Sequence, residues 1–308
     1  MIQHGKPISV NPQRVVLIGA RGFLGTTIGR ELTKSGICTA GLTSAAIDLT
    51  ESDATDKLAG VLRPTDTVVV LSAITPDKGR DVSTTVRNMK MMQSICDALI
   101  RTGCAHLVYF SSDAVYGSSA TDVSEKTTPA PDDLYGAMHL ARELMAKSLR
   151  DVPLLVLRPT MVYGTGDTHN AYGPNRFVHT AMTQRQITLF GKGEETRDHI
   201  HAEDVARITV ECLVHQTTGL LNLVTGKSPS FRQVADLICE NIGSFIDIRS
   251  APRTVPIRHR NYDISGLAAA FPDFRPLDIA QGIARVLADH PVSGATRGVS
   301  GLHPDRTQ

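Results

Sequence analysis

Short apolar runs alternate with helical stretches over the first two-thirds of the 308-residue chain, a pattern typical of an α/β fold. The first apolar run ends in a ladder of three glycines, which indicates a tight turn between a strand and a helix. A later run at residues 67–71 is apolar almost throughout and predicts a strand buried on both faces. These observations together predict a Rossmann-type doubly wound parallel sheet with a smaller, mixed α/β lobe.

The predicted elements follow one another in the order expected of such a sheet. Strands are predicted at residues 14–18, 37–42, 67–71, 106–110 and 152–157, and helices at residues 23–35, 86–102 and 134–149. After Gly164 the alternation loosens, because Gly, Pro, Asn and Asp cluster at residues 165–175. Beyond this cluster the pattern predicts helices at residues 178–184, 202–215, 231–242 and 279–288, and strands at residues 186–190 and 220–224.

The change of pattern at this loop suggests a division of the chain into two lobes. A glycine ladder between a strand and a helix is typical of dinucleotide-binding domains, so we expect residues 14–165 to form an NAD(P)-binding domain, with residues 200–225 returning to it. The remaining segments are predicted to be an N-terminal tail (1–13), a substrate-binding lobe (166–199 and 226–290) and a disordered C-terminal tail (291–308).

Composition excludes several classes of protein. The formal net charge is +1, so no general basic field exists for binding nucleic acid. No uninterrupted apolar stretch is long enough to cross a membrane, and we therefore expect a cytoplasmic protein. The five cysteines are odd in number and lack Cys-x-x-Cys spacing, which argues against a disulfide framework and a zinc site. We expect no bound metal.

The three glycines suit a dinucleotide cofactor. Gly19 permits the turn, Gly22 lets the backbone approach a pyrophosphate, and Gly25 allows the helix to pack closely on the strand. The acidic residue that binds the ribose in NAD enzymes is missing at residues 41–44, whereas Arg21 could meet a 2′-phosphate. The cofactor is therefore NADP or NAD, with NADP favoured. Alternatively, Arg21 is an ordinary surface arginine.

Further motifs occur in a fixed order along the chain. They are Asp48-Leu49, Ser111-Ser112, Val115-Tyr116-Gly117, Tyr135 with His139 four positions later, Leu157-Arg158-Pro159, Val162-Tyr163-Gly164, residues 173–177, residues 197–206 and Arg260-x-x-Asp263. With the glycine ladder, this set resembles the extended short-chain dehydrogenase/reductase family, and within it the nucleotide-sugar epimerases, dehydratases and ketoreductases. The resemblance runs from about Arg14 to Ala288.

The resemblance implies a role for each matching residue. Tyr135, Ser112 and His139 would be catalytic, with Tyr135 moving the hydroxyl proton while a hydride passes between the nicotinamide and a sugar carbon. The residues implied to bind the cofactor are Gly19, Arg21, Gly22, Phe23, Leu24, Gly25, Asp48, Leu49, Leu71, Ser72, Ala73, Tyr135, His139, Pro159 and Val162. Those implied to bind a nucleotide-sugar substrate are Asp113, Asn175, Arg176, Arg197 and Arg260. Alternatively, Asn175 is a turn residue and Arg197 pairs with Asp198 or Glu195. The apolar stripe at residues 86–99 is either core or part of a dimer interface. In the family two such helices from each subunit form a four-helix bundle, so the resemblance implies a homodimer.

His139 departs from the family pattern, which has lysine at this position. A cation about 5 Å from a tyrosine contributes roughly 2 pKa units at an effective dielectric near 20, and lysine carries that charge permanently. Histidine, with an unperturbed pKa of about 6.5, does not. Three hypotheses follow: Glu143 keeps His139 protonated, Tyr135 acts mainly as an acid in carbonyl reduction, or the site binds cofactor without catalysis.

Residues Asp113 and Ala114 limit which of the family's reactions can be expected. Dehydratases of this family place an Asp-Glu pair here, and Ala114 cannot take a proton. The resemblance then leaves epimerisation at C4 of the sugar, which the arginines and Ala114 favour. The alternatives are an NADPH-dependent 4-ketoreductase of a nucleotide deoxysugar and a non-catalytic dinucleotide-binding protein.

Overall fold

A computed structural model describes residues 2–289 of the chain. Its strands are β1 (Gln3–His4), β2 (Val15–Ile18), β3 (Thr39–Leu42), β4 (Thr67–Val70), β5 (His106–Phe110), β6 (Asp122–Val123), β7 (Leu154–Pro159), β8 (Met161–Tyr163), β9 (Gln186–Phe190), β10 (His199–His201), β11 (Thr217–Leu223), β12 (Asp247–Ala251) and β13 (Asn261–Tyr262). Its helices are α1 (Phe23–Lys34), α2 (Ala54–Val61), α3 (Val82–Thr102), α4 (Leu134–Lys147), α5 (Pro174–Gln184), α6 (Ala202–Val214), α7 (Phe231–Ile242), α8 (Ser265–Ala270) and α9 (Ile279–Ala288).

Seven strands form the central sheet, in the order β1-β11-β7-β5-β4-β2-β3. All neighbouring pairs are parallel except β1 with β11. The first strand of the parallel set, β2, lies between β3 and β4, so the chain changes direction across the sheet at this strand. A crevice opens at such a switch point, beyond the carboxyl ends of the strands. The predicted doubly wound α/β sheet is confirmed.

Helices cover both faces of the sheet, and β2 shows why. Its side chains alternate between two cores: Val15 and Leu17 pack with the helices α1 and α6, whereas Val16 and Ile18 pack with α2 and α3. All four side chains are almost fully buried. A strand covered on both faces must be apolar at every position, which is what the sequence of β2 shows.

A third core holds the smaller lobe together. It is built from Phe177 of α5, Ile187 of β9, Phe231 and Val234 of α7, and Ile283 of α9. Two short parallel pairs, β9 with β12 and β8 with β10, flank this core. Helix α6 and strand β11, which come after β10 in the sequence, belong to the larger lobe. Helix α6 packs on the large sheet, and β11 is one of its strands.

Several local features differ from the sequence-based expectations, among them the following three. Residues 3–4 of the expected N-terminal tail pair antiparallel with β11, and His4 Nδ1 lies 2.8 Å from Thr217 Oγ1. Helix α3 begins at Val82 rather than at residue 86, because Asp81 caps it by accepting a hydrogen bond from the Thr84 N–H. Helix α2 was not predicted. The expected C-terminal tail, residues 291–308, lies outside the described residues.

Within residues 2–289, none of the helices combines the length and the apolar character that a membrane crossing requires.

The glycine ladder forms the turn between β2 and α1. Gly19 has a φ of +99°, and a Cβ there would lie 2.9 Å from the Ser72 backbone nitrogen. A Cβ on Gly25 would overlap the Gly19 carbonyl oxygen and lie 2.9 Å from Ala20 Cα. Two of the three positions therefore exclude any side chain, since the chain crosses itself closely here.

We predict that Gly25→Ala lowers the free energy of unfolding by about 1–3 kcal/mol, because the turn must move to admit the new methyl group. The matched control is Gly29→Ala in the same helix, where a Cβ meets only Leu17 Cδ1 at 3.6 Å. That change raises stability by up to about 1 kcal/mol, since alanine favours helix over glycine. Urea unfolding measures both, and equal stabilities of the two variants would contradict this account of the turn.

Candidate active site

A cleft of about 450 Å³ opens at the switch point of the sheet. Its walls include eight of the residues predicted to bind the cofactor: Gly19, Arg21, Gly22, Asp48, Leu49, Leu71, Ser72 and Ala73. The floor is backbone rather than side chain where the glycine turn passes the end of β4. A ligand can therefore lie directly against main-chain atoms.

Two unsatisfied features of the cleft fit a dinucleotide. Helix α1 begins at Phe23 with Gly22 as its N-cap, and no side chain caps it. Its first N–H groups and the positive end of its dipole are therefore available to a phosphate. The Ser72 hydroxyl is buried without a hydrogen-bond partner in this structure, and buried hydroxyls are normally satisfied. These residues fit a cofactor with a pyrophosphate.

The remaining predicted cofactor residues lie at different distances from this cleft. Leu24 packs against the core of the sheet, and Gly25 packs against the glycine turn. Pro159 ends β7 and Val162 lies in β8, outside the lining of the cleft. Two basic residues that also line the cleft, Lys78 and Arg87, were not identified from the sequence. Neither residue belongs to a sequence motif. Their position at the cleft is determined by the fold and could not be recognised from the sequence.

The charge around the cleft is mostly positive. Arg21, Lys78 and Arg87 line it, and Thr43 and Ser44 follow β3 where an acidic residue was sought and not found. Asp48 is the acidic residue in the lining; hydrogen bonds from the Thr50 N–H and hydroxyl lower its pKa.

Tyr135 lines a second cavity of about 310 Å³, and Ile74 lines both cavities. The tyrosine stands in the first turn of α4, which Asp133 caps by accepting a hydrogen bond from the Gly136 N–H at 2.7 Å. Ser112 lies in hydrogen-bonding contact with the Tyr135 phenol. The structure thus brings Ser112 to Tyr135, which lines the cavity next to the cleft.

The Tyr135 phenol holds its proton tightly. Burial raises its pKa, and the neighbouring Tyr109 and the Asp113 carboxylate raise it further. The hydrogen bond from Ser112 and the charge of Arg142 act in the opposite direction and are smaller effects. Without a bound cofactor or substrate, Tyr135 is therefore a neutral phenol at physiological pH.

His139 lies under Tyr135, with the two ring centroids 4.7 Å apart and the rings nearly perpendicular. The imidazole is only 2% exposed, and its Nδ1 lies 2.8 Å from the Tyr109 hydroxyl of β5. Its Nε2 is buried without a partner. Burial lowers the pKa of His139 to about 3, and the charge of Arg142 adds to this effect.

The hypothesis that Glu143 keeps His139 protonated is wrong. The Glu143 carboxylate accepts two hydrogen bonds from Arg158, at 2.8 and 2.7 Å, and one from the Ser111 hydroxyl at 2.6 Å. Both Glu143 and Arg158 are almost fully buried, so the carboxylate already neutralises a permanent cation. His139 is left neutral.

Asp113, whose carboxylate acts on the Tyr135 phenol, is paired with Arg260. Arg260 Nη1 lies 3.5 Å from Asp113 Oδ2, and the Tyr262 hydroxyl donates to the same oxygen at 2.6 Å. Arg260 also donates to the Gly117 carbonyl, so it is held by backbone as well as by charge. Tyr262, which sequence reasoning missed, is part of this group.

Two of the other predicted substrate residues, Asn175 and Arg197, form contacts within the protein. Asn175 accepts from the Gly164 N–H at 3.1 Å and donates to Asp167 at 2.7 Å, which fixes the loop before α5. Arg197 pairs with Glu195 at 2.5 Å, one of the two alternatives considered for it. Arg176 is exposed near the start of α5.

Comparisons with known proteins agree with this arrangement. The model of the NAD dependent epimerase/dehydratase family matches residues 15–223, more than half of the chain. Among solved structures, the UDP-glucose 4-epimerase of Thermus thermophilus in complex with NAD is 21% identical, with a TM-score of 0.77 over 90% of this chain and 98% of that one. The UDP-N-acetylglucosamine 4-epimerase of Bacillus cereus is 23% identical, with a TM-score of 0.78 over 91% and 99%.

A third similar structure binds a different nicotinamide cofactor. It is a GDP-L-fucose synthetase from Naegleria fowleri bound to NADP, 18% identical, with a TM-score of 0.80 over 94% of this chain and 97% of that one. At these identities the structural matches establish a shared fold.

We predict that Glu143→Gln lowers the free energy of unfolding by about 3–5 kcal/mol, because the Arg158 cation would remain buried without a counter-charge. The control is Asp236→Asn, which breaks an exposed pair with Arg232 on α7 and costs less than about 1 kcal/mol. Urea unfolding of both variants provides the measurement. If Glu143→Gln lowered the free energy of unfolding no more than the control does, the buried pair would contribute little to stability.

Proposed function

We propose that this chain, which belongs to the NAD dependent epimerase/dehydratase family, moves a hydride between a nicotinamide dinucleotide and a hydroxyl- or keto-bearing carbon of a nucleotide sugar. One observation carries the proposal. Tyr135, whose phenol Ser112 contacts, lines a cavity that shares Ile74 with the glycine-lined cleft. A phenol and a hydroxyl so placed can hold one substrate oxygen while a proton moves to or from it.

The cofactor proposed for the cleft is NADP. The turn at Gly19 and Gly22 and the start of α1 would hold the pyrophosphate, and Asp48 and Leu49 would contact the adenosine. Arg21, Lys78 and Arg87 favour a 2′-phosphate, since guanidinium and ammonium groups bind phosphate through charge-assisted hydrogen bonds. When bound, the nicotinamide supplies the hydride donor or acceptor.

The side chains favour the reductive direction. In reduction Tyr135 donates its proton to the oxygen of the new alcohol, and in oxidation it must first lose that proton. A raised pKa and a neutral His139 make proton loss difficult. Donation is less affected, because a sugar alkoxide is a much stronger base than a phenolate. We therefore propose 4-ketoreduction of a nucleotide sugar with NADPH as the reaction that the geometry supports best.

Epimerisation at C4 is the second candidate. It requires Tyr135 to take up a proton and then return it, with no net change of cofactor. The pair of Arg260 and Asp113, whose carboxylate acts on Tyr135, and the absence of an acid at Ala114 support it. So does the shared fold with two 4-epimerases.

We further propose that the chain forms a homodimer through α3 and α4. Four large apolar side chains on these helices are 60–70% exposed: Val82, Val86, Ile100 and Leu144. Apolar side chains exposed on adjacent helices are typical of a surface that another protein surface covers.

The reaction is tested with purified protein, NADPH and a nucleotide-bound 4-keto sugar. Reduction predicts that one NADPH is consumed for each molecule of product, and that Tyr135→Phe lowers turnover by a factor of about 10² or more while NADPH still binds. Product formation from a nucleotide hexose without net loss of NADPH absorbance would decide for epimerisation instead. Equal turnover by wild type and Tyr135→Phe would contradict both candidates.

A further inference from the structure

We propose that Arg142 supplies the positive charge that position 139 does not supply, and that His139 acts as a neutral hydrogen-bond donor through Nε2. The two tasks that one lysine performs in related enzymes would then be divided between two side chains. This inference rests on the proposed function, because it requires the nicotinamide end of the cofactor to approach Tyr135. Arg142 would be a positioning residue that acts through the electrostatic field.

Arg142 is placed to act on this site. It follows Tyr135 by seven positions on α4, which is two helical turns and a rise of about 10 Å. Side chains of a helix tilt towards its N-terminus, so the guanidinium reaches back towards Tyr135. Its Nη1 accordingly lies 4.0 Å from the sulfur of Met138, one turn earlier.

The guanidinium is held under the wall between the two cavities. Arg142 is fully buried and donates to the Ser72 carbonyl at 2.8 Å and to Asn88 Oδ1 at 3.4 Å. Its central carbon lies 5.3 Å from the centre of the Tyr109 ring. The Asn88 side chain also binds the Ile74 backbone: its Oδ1 accepts from the Ile74 N–H, and its Nδ2 donates to the Ile74 carbonyl. The charge therefore sits directly beneath backbone that lines the cofactor cleft.

Arg142 carries a permanent charge, and no carboxylate of residues 2–289 forms an ion pair with it. The nearby charged groups are committed elsewhere: Glu143 is bound by Arg158, and Asp113 by Arg260 and Tyr262. Lys147 lies one helical turn beyond Glu143, with its Nζ 3.7 Å from that carboxylate. A buried cation without a counter-ion is costly. A phenolate forming at Tyr135 would provide the missing negative charge.

Tyr109 fixes the proton on His139. Burial raises the pKa of Tyr109 to about 12, so its hydroxyl keeps a proton to donate, and the His139 Nδ1 is the acceptor within reach. A neutral imidazole that accepts at Nδ1 must carry its own proton on Nε2. This Nε2 is buried and has no partner in the structure. It is therefore a donor that a hydroxyl of a bound ribose could satisfy.

Dissociation constants of NADP⁺ and NADPH test the role of Arg142 without any sugar substrate. Oxidised nicotinamide is positively charged and the reduced form is not, so a nearby cation weakens binding of NADP⁺ relative to NADPH. We expect Arg142→Gln to shift the ratio of the two constants about tenfold in favour of NADP⁺, since a unit charge about 10 Å away acts with roughly that strength. Arg142→Lys keeps the charge and should keep the wild-type ratio.

Asn88→Ala provides the structural control, because it loosens the same backbone without removing a charge. It should alter both dissociation constants alike and leave their ratio unchanged. A wild-type ratio in Arg142→Gln would overturn the proposal, and so would an equal shift in Asn88→Ala. Failure of wild-type protein to bind either cofactor would instead overturn the proposed function.

Nuclear magnetic resonance of ¹⁵N-histidine-labelled wild-type protein tests the state of His139 directly and remains available if Arg142→Gln does not fold. The signal is assigned by its loss in His139→Gln. We expect a neutral ring with the proton on Nε2 from pH 8 to pH 5, with or without cofactor. Protonation of His139 near pH 6.5, or a proton on Nδ1, would overturn the proposal.

Discussion

The buried pair between Glu143 and Arg158 sets the chemistry of the whole site. Glu143 is the acidic residue one helical turn beyond His139, and its carboxylate accepts hydrogen bonds from Arg158 and Ser111 and also lies 3.7 Å from Lys147 Nζ. An imidazole buried beside a second cation, with no carboxylate to accept its charge, remains neutral. The field at Tyr135 must therefore come from some group other than the residue four positions later. The geometry assigns that task to Arg142.

The fold explains how distant segments meet at this point. Strand β2 and strand β4 end at the switch point, and the backbone of Gly19 and Ser72 touches there. Helix α4 runs behind the same edge and places Tyr135, His139 and Arg142 on successive turns. Tyr135 lines the second cavity, His139 is buried beneath it, and Arg142 donates a hydrogen bond to the Ser72 carbonyl. The cleft and helix α4 are thus linked through the Ser72 backbone.

Much of this could be predicted from the sequence, because local rules determine it. The apolar β2 and the glycine ladder identify the sheet and its first turn, and the resemblance to a known family points to Tyr135 and Ser112. The state of His139 could not be predicted, since Glu143 stands at helical spacing from it and also reaches Arg158, which lies on a strand. Lys78, Arg87 and Arg142 stand in no motif. Only the packing of α3, α4 and the loop after β4 brings Lys78 and Arg87 to the cleft and Arg142 to the Ser72 carbonyl behind it.

The central claim is that Tyr135 meets the nicotinamide while a neutral His139 replaces an ammonium. A high-resolution crystal structure of the protein with NADP tests this most directly. The account predicts His139 Nε2 about 3 Å from a hydroxyl of the nicotinamide ribose, with Tyr135 facing the ring and Arg142 still bound to the Ser72 carbonyl. A Tyr135 phenol turned away from the ring, or a carboxylate bound to His139 Nε2, would contradict it.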